Sequence, residues 1–217
     1  MGQLIFQFPF RTSYYEKDFF VSSNNFDAYK LIESCPEWLD KKINIYGPRG
    51  CGKTHLSNIL KNKTNAVLIN ANDVTNSLLN KIHKKKCLII DDYNLNIDEK
   101  LLYTIINQTT QANQYIVINS IKPIKFADTS LKDLNSRFES FIDLGIKLPT
   151  DDLLKVIITK CFSDKQIKLN IRHLDYILNN IERSYERIFE FVRDLDKESL
   201  ASGKSININI IKKVLDQ

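Results

Sequence analysis

The sequence predicts an α/β fold, a parallel five-stranded sheet with helices on both faces followed by a small all-helical lid domain. Three observations predict it. Short Ile- and Val-rich runs alternate with helical patterns through the first two thirds of the chain, a glycine-rich loop joins one of those runs directly to a helix, and beyond Pro149 only helical periodicity remains.

Residues 42–46, 66–70, 87–91 and 115–119 are the four clearest apolar runs, and a fifth strand is expected at 140–144. Between the second and third runs one helix fits, over 73–82, from the spacing of Val74, Leu78, Leu79 and Ile82. After Pro149 the helical stretches 151–162, 171–181, 184–199 and 207–215 each carry apolar residues three and four apart, as in Leu154, Ile157, Ile158 and Cys161, so each buries one face. The division read from this is a terminal peptide at 1–12, an α/β core at 13–149 and a helical lid at 150–217.

Gly47-Pro48-Arg49-Gly50-Cys51-Gly52-Lys53-Thr54 satisfies GxxxxGK[ST], between an apolar strand and an amphipathic helix with Leu56, Ile59 and Leu60. That setting suits phosphate: glycines let backbone N–H groups turn inward, and the helix adds the positive end of its dipole. Lys53 is expected on the β/γ-phosphates of ATP or ADP and Thr54 on Mg²⁺, with His55 as the next residue of the nucleotide-binding segment. Cys87-Leu88-Ile89-Ile90-Asp91-Asp92 supplies the complementary acids, because a carboxylate at the C-terminal end of a parallel strand stands at the sheet edge where ligands bind. Asp91 is expected to hold the magnesium shell. Asp92 either orients and deprotonates an attacking water or simply caps the following loop.

Other chemistries find little support. The 31 Lys+Arg against 26 Asp+Glu leave a net charge of only +5, spread along the chain, which permits contact with nucleic acid without arguing for it. Even the run His83-Lys84-Lys85-Lys86 reads as a solvated turn. Cys35, Cys51, Cys87 and Cys161 form no CxxC pair, and His55, His83 and His173 form no spaced ligand set with cysteines or carboxylates, so the metal expected is the one that accompanies a nucleotide. No signal-peptide pattern and no membrane-length apolar stretch is present, so the thiols are expected reduced and the protein soluble and cytoplasmic, with no membrane partner.

With these motifs in place the chain resembles the DnaA-related AAA+ proteins, P-loop NTPases of replication initiation, from Gln3 almost to the C-terminus. Phe20-Val21-Ser22-Ser23-Asn24-Asn25, then Ala28, is similar to the segment that the family sets ahead of the P-loop beside adenine; Asn24 or Asn25 also reads as a helix N-cap. Asn119-Ser120 falls where the family's sensor I lies. Leu134-Asn135-Ser136-Arg137-Phe138-Glu139 resembles its L-x-SRF-E element, which makes Arg137 the family's arginine finger, and Arg183 ahead of Ser184-Tyr185-Glu186-Arg187 matches the sensor II arginine. Read without the resemblance, Arg137 is a surface arginine and Arg183 a residue that starts a helix.

Gln3-Leu4-Ile5-Phe6-Gln7-Phe8 resembles the peptide by which the shortened, Hda-type regulatory inactivators of this family bind the sliding clamp; a polar residue of such a peptide fixes register, and Gln3, Leu4, Phe6 and Phe8 are the expected clamp-binding residues, with Phe6 and Phe8 in the hydrophobic positions. The same alternation is also that of an edge strand packed on the body. The interval 70–86 leaves no space for the initiator's extra DNA-touching helix, and the chain is expected to finish with its lid, without a helix-turn-helix domain. The resemblance therefore implies a nucleotide-bound regulator with the clamp and the initiator DnaA as partners and DNA contacted mainly through the clamp. The alternative is a self-assembling AAA+ ATPase, a DNA-remodelling or helicase-loading factor, with a nucleotide-dependent homo-oligomer.

Overall fold

The structure, a computed structural model, describes residues 14–82, 85–165, 167, 169–203 and 205–216. Five strands, β1 (Lys42–Tyr46), β2 (Val67–Asn70), β3 (Cys87–Tyr93), β4 (Tyr115–Ser120) and β5 (Ile142–Gly145), form one parallel sheet in the order β2-β3-β4-β1-β5. Helices α1 (Phe26–Glu33), α2 (Lys53–Thr64), α3 (Ser77–Ile82), α4 (Glu99–Gln111) and α5 (Lys132–Glu139) connect and cover the strands. A group of helices follows: α6 (Asp151–Asp164), α7 (Ile171–Asn180), α8 (Tyr185–Ser202) and α9 (Ile208–Leu215).

Successive strand residues point to opposite faces, and the core divides accordingly. Ile43, Ile45, Ile89 and Val117 pack with Leu56, Ile59 and Leu60 of α2 and with Ala28 and Ile32 of α1. Their neighbours Leu88, Ile90, Ile116 and Ile118 pack on the other face with Leu78, Leu102, Ile105, Ile106, Leu134 and Phe138. Burial on both sides is why these strands read as continuous apolar runs. Asn44 of β1 is a polar residue within this apolar interior, fully buried, its Nδ2 donating to Ile118 O (2.8 Å) and Ser120 Oγ (2.9 Å) and its Oδ1 accepting from Ile124 N (3.0 Å).

The helices after Pro149 build a third cluster of their own from Leu154, Ile158, Phe162, Ile177, Phe191, Leu195 and Ile211, among others. Four of them start at side-chain caps, with Thr150, Asn170, Ser184 and Asn207 each accepting backbone N–H bonds, and α8 stops at Gly203 in the left-handed region (φ 61°). Leu153 and Tyr185 belong instead to the α1–α2 cluster, so they seat this helical group on the sheet.

Several boundaries differ from expectation for local reasons. The helix expected over 73–82 begins only at Ser77, because Asn70 accepts from Asn72 N (3.0 Å) to make a 3-10 turn over Ala71–Asp73 and Val74 is extended. Strand β5 starts at Ile142 rather than 140, since Ser140 N and Phe141 N still bond to Arg137 O and Phe138 O at the end of α5. Strand β3 runs on to Tyr93 through a bulge between Ile90 and Tyr93, and α8 runs on to Ser202. Between β2 and β3 the described residues hold only the 3-10 turn and α3. No helix among the described residues is long and apolar enough to cross a membrane. Gln3, Leu4, Phe6 and Phe8, and His83 and Lys84 of the basic run, lie outside the described residues.

Candidate nucleotide site

Strand β1 lies between β4 and β5, so the loop leaving its end emerges at the sheet's C-terminal edge beside the central strand β4, with Gly47 N bonded to Ser120 O (3.2 Å). Gly50 and Gly52 have φ of 76° and 100°, which L side chains rarely adopt, and a Cβ on Gly52 would stand 2.8 Å from Phe19 Cε2. A Cβ on Gly47 would stand 2.7 Å from Ile146 O. Helix α2 opens after Gly52 with no side-chain cap, leaving its first turn of N–H groups for an anion. Lys53 is buried at 9% exposure, and its Nζ donates to Gly47 O (2.8 Å) and Pro48 O (2.9 Å), bringing the ammonium inside the curve of the loop.

The expected cation ligands stand together. Thr54 Oγ1 donates to Asp91 Oδ2 (2.7 Å), while Asn119 Nδ2 donates to Asp91 Oδ1 (2.7 Å) and Ser57 Oγ (2.6 Å). A hydroxyl beside a carboxylate is the hard-oxygen donor set that magnesium takes. Asn119 Oδ1 is buried with no hydrogen-bond partner among the described residues, an acceptor suited to a water in a hydrated ion's shell. Helix periodicity pointed to Ser57, which lies four residues after Lys53 and three after Thr54, although sequence reasoning passed over it. Asp92 is exposed beside this network, in the left-handed region (φ 60°), with its N–H donating to Asp91 Oδ1 (3.1 Å).

A cavity of about 590 Å³ opens in front of the loop. Gly50, Cys51, Gly52, Lys53, Thr54 and His55 line one side; Phe19 and Phe20 from the segment before α1, and Ile157, Lys160, Tyr185 and Phe189 from the last helices, close the others. Its size and its apolar walls with a few polar groups are those of a small-molecule site. Cys51 is buried, and burial pushes its thiol up, so it stays neutral beside Lys53. Burial lowers the His55 imidazole from its ordinary value. Its Nε2 lies 2.8 Å from Tyr15 O; a carbonyl only accepts, so Nε2–H donates, and the ring sits edge-on to Tyr14 and Phe19. His55 thus holds the segment before α1 over the cavity. Lys160 holds it from the lid side, pairing with Asp18 Oδ1 (3.3 Å) and donating to Asp18 O (3.1 Å).

Asn25 stands at the N-cap of α1, but its side chain closes the preceding turn, accepting from Ser22 N (2.7 Å) and donating to Phe20 O (2.9 Å). Asn24 Nδ2 reaches Leu148 O.

The structure does not bring Arg183 to the cavity. Arg183 precedes the Ser184 cap, and its Nε and Nη2 meet Asp151 Oδ1 and Oδ2 (2.8 and 3.3 Å) at the start of α6, both side chains more than half exposed. That pair answers the unfavourable cation at the start of α8. Arg49 likewise stands outside the cavity lining, 3.9 Å from Glu186 in the first turn of α8, a loose exposed pair. Arg137 is not among the residues that line the cavity; it is half-buried on α5, and among the described residues it has no ion pair.

The sheet order, the glycine loop and the acid-tipped β3 define an AAA+ P-loop NTPase fold. Comparison with solved structures agrees: domain III of the Thermotoga maritima replication initiation protein DnaA superposes with a TM-score of 0.78 at 20% identity, covering 96% of this chain and 98% of that one. AMPPCP-bound DnaA from Aquifex aeolicus follows at TM-score 0.68 and 23% identity, covering 86% of this chain and 66% of that one. The Thermotoga maritima RuvB Holliday junction branch migration motor matches at TM-score 0.62 and 19% identity, over 88% of this chain and 64% of that one. In sequence the chain is similar to the chromosomal replication initiator protein DnaA of Helicobacter hepaticus, 29% identical over 92% of this chain and 49% of the relative, and of Treponema denticola, 24% identical over 95% and 48%. The chain thus spans about half the length of the curated relatives it matches. A family model described as RNA helicase matches residues 43–141.

Proposed function

We propose that this chain is a nucleotide-bound regulator of replication initiation that docks on the DNA-loaded sliding clamp and presses Arg137 against ATP held by the initiator DnaA, speeding that ATP's hydrolysis. The observation that carries the reading is the separation of Arg137 from the chain's own loop. Its guanidinium lies outside the lining of the cavity and among the described residues has no carboxylate partner, so it is offered to a phosphate on another molecule. An arginine supplied in this way stabilises charge developing on the transferred phosphoryl group and is worth roughly 10³ to 10⁵ in rate in other NTPases.

In its own site Lys53 and the glycine loop hold the phosphates of ATP or ADP, and Thr54 and Asp91 hold the accompanying Mg²⁺, which would offset phosphate charge. Asn119 orients Asp91, and Asp92 is the residue placed to meet an attacking water. Gln3, Leu4, Phe6 and Phe8 serve as the clamp-binding peptide, so DNA is contacted mainly through the clamp, and the protein works in the bacterial cytoplasm at the nucleoid. The result is negative control, with the initiator left in its ADP form.

The decisive experiment adds purified protein to clamp loaded on DNA and to initiator carrying labelled ATP. Stimulated ADP formation that Arg137→Ala abolishes, with clamp and nucleotide binding retained, supports the reading; full activity in the mutant refutes it. A second reading, a self-assembling AAA+ ATPase or DNA-remodelling factor in which Arg137 serves the next identical subunit, is favoured by the complete set of Lys53, Thr54, Asp91 and Asp92 around one loop. It requires ATP-dependent oligomers and concentration-dependent ATPase without clamp or initiator.

A further inference from the structure

Helix α4 carries Glu99 and Tyr103 one turn apart, and both act on α5. The N-cap position of α5 is Leu131, whose side chain offers no acceptor. Glu99 supplies one from the neighbouring helix. Its carboxylate accepts Ser130 N–H (2.9 Å), Ser130 Oγ–H (2.8 Å) and Leu131 N–H (2.8 Å), and its charge stands at the positive end of α5. Those donors, Ser130 N–H foremost, hold the carboxyl below its usual range, so it is ionised at neutral pH. One side of α5 is sealed by Leu134 and Phe138, the latter edge-on to Tyr93 and Phe141. On its shoulder the Arg137 guanidinium lies 5.9 Å from the centre of the Tyr103 ring, within cation–π range.

From these contacts we propose that Glu99 and Tyr103 are positioning residues that set Arg137 for its phosphate target, Glu99 by fixing the start of α5 and Tyr103 by supporting the guanidinium. The inference rests on the reading of Arg137 as acting in trans. A long arginine side chain loses rotamer freedom on engaging phosphate, and a ring that holds it in advance removes part of that cost. The gain falls on the rate at which a bound initiator turns over, because misplacement of a charge-stabilising group is felt chiefly in the transition state.

The test follows turnover of initiator-bound labelled ATP with DNA-loaded clamp, titrating Tyr103→Leu, Tyr103→Phe, Glu99→Gln and, as reference, Arg137→Ala, with melting temperature and the protein's own ADP affinity measured on each. Tyr103→Leu is expected to lower the maximal rate about three- to fivefold at an unchanged half-saturating concentration, and Tyr103→Phe, which keeps the ring face, to restore it. Glu99→Gln presents an amide where three donors need acceptors, and is expected to lower the maximal rate about tenfold. If Tyr103→Leu folds and keeps the full maximal rate while Arg137→Ala abolishes it, the positioning role is overturned and the trans reading stands. If Tyr103→Phe is as defective as the leucine variant, the ring contact is overturned. Full activity in Arg137→Ala removes the trans reading itself. Should Glu99→Gln fail to fold, the Tyr103 pair decides.

Discussion

Lys53 and Arg137 are both cations carried on helices of the same α/β unit, and the structure treats them in opposite ways. Lys53 is folded inward, its ammonium on two carbonyls of its own loop and its helix buried against the sheet. Arg137 stands half-buried on a short helix whose start is tied down by another helix, supported by a ring and left without a carboxylate partner among the described residues. A cation already enclosed by its own backbone is arranged for a ligand that enters the chain. One fixed at the root with its head unspent is arranged for something beyond it.

The sharpest way to break that contrast is Lys53→Ala. Losing a charged donor from an enclosed phosphate cradle should weaken ADP binding about 10- to 100-fold, read by equilibrium titration, while stimulation through Arg137 should fail only as far as nucleotide occupancy fails. Unchanged affinity would remove the loop from the nucleotide site. Next in size is Asn44→Val, behind the loop: it strips partners from Ser120 Oγ, Ile118 O and Ile124 N, and should cost about 1–3 kcal/mol in urea unfolding, with Arg137 still offered outward.

A smaller effect is expected from His55. Its folded pKa is lowered below the ordinary 6.5, so the unfolded chain binds more protons as pH drops through that value, and stability should fall between pH 7 and 5. His55→Gln should flatten that slope in melting temperatures taken across the range. The smallest effect belongs to Arg183→Ala. Its pair with Asp151 is solvent-exposed and screened by water, so the urea midpoint should stay where it is and ADP affinity should hold. A large loss of affinity there would bring Arg183 back into the nucleotide site and blur the distinction drawn above.

The Ile- and Val-rich runs and the GxxxxGK[ST] pattern made the sheet and its glycine loop legible in sequence, because both depend on neighbours a few residues apart. Glu99 and Tyr103 were not legible: the pairing of α4 with α5 joins residues some thirty positions apart in the case of Glu99 and Ser130, and no local period signals it. The direction in which Arg183 leaves the chain was not legible for a related reason. One step before a cap, a side chain leaves the helix axis, so Arg183 turns to Asp151 while Tyr185 and Phe189, one turn apart within α8, face the cavity. Asn44 did leave a signal, a polar residue in the middle of an apolar strand, which a search for buried amides would have found.

That amide also governs how the sheet can be misassembled. β1 and β4 are both Ile-rich, and a hydrophobic pattern alone discriminates poorly between pairings two residues apart, which keep every side chain on its own face. Asn44 finds its acceptors only when it stands opposite Ile118, with Ser120 two residues further along β4, and its donor only at Ile124. A slipped pairing would trap an amide in the interior with nothing to bond, at a cost no hydrocarbon contact returns. Because the loop begins immediately after β1, the same amide proofreads the alignment that brings Lys53 and Thr54 level with Asp91 and Asn119.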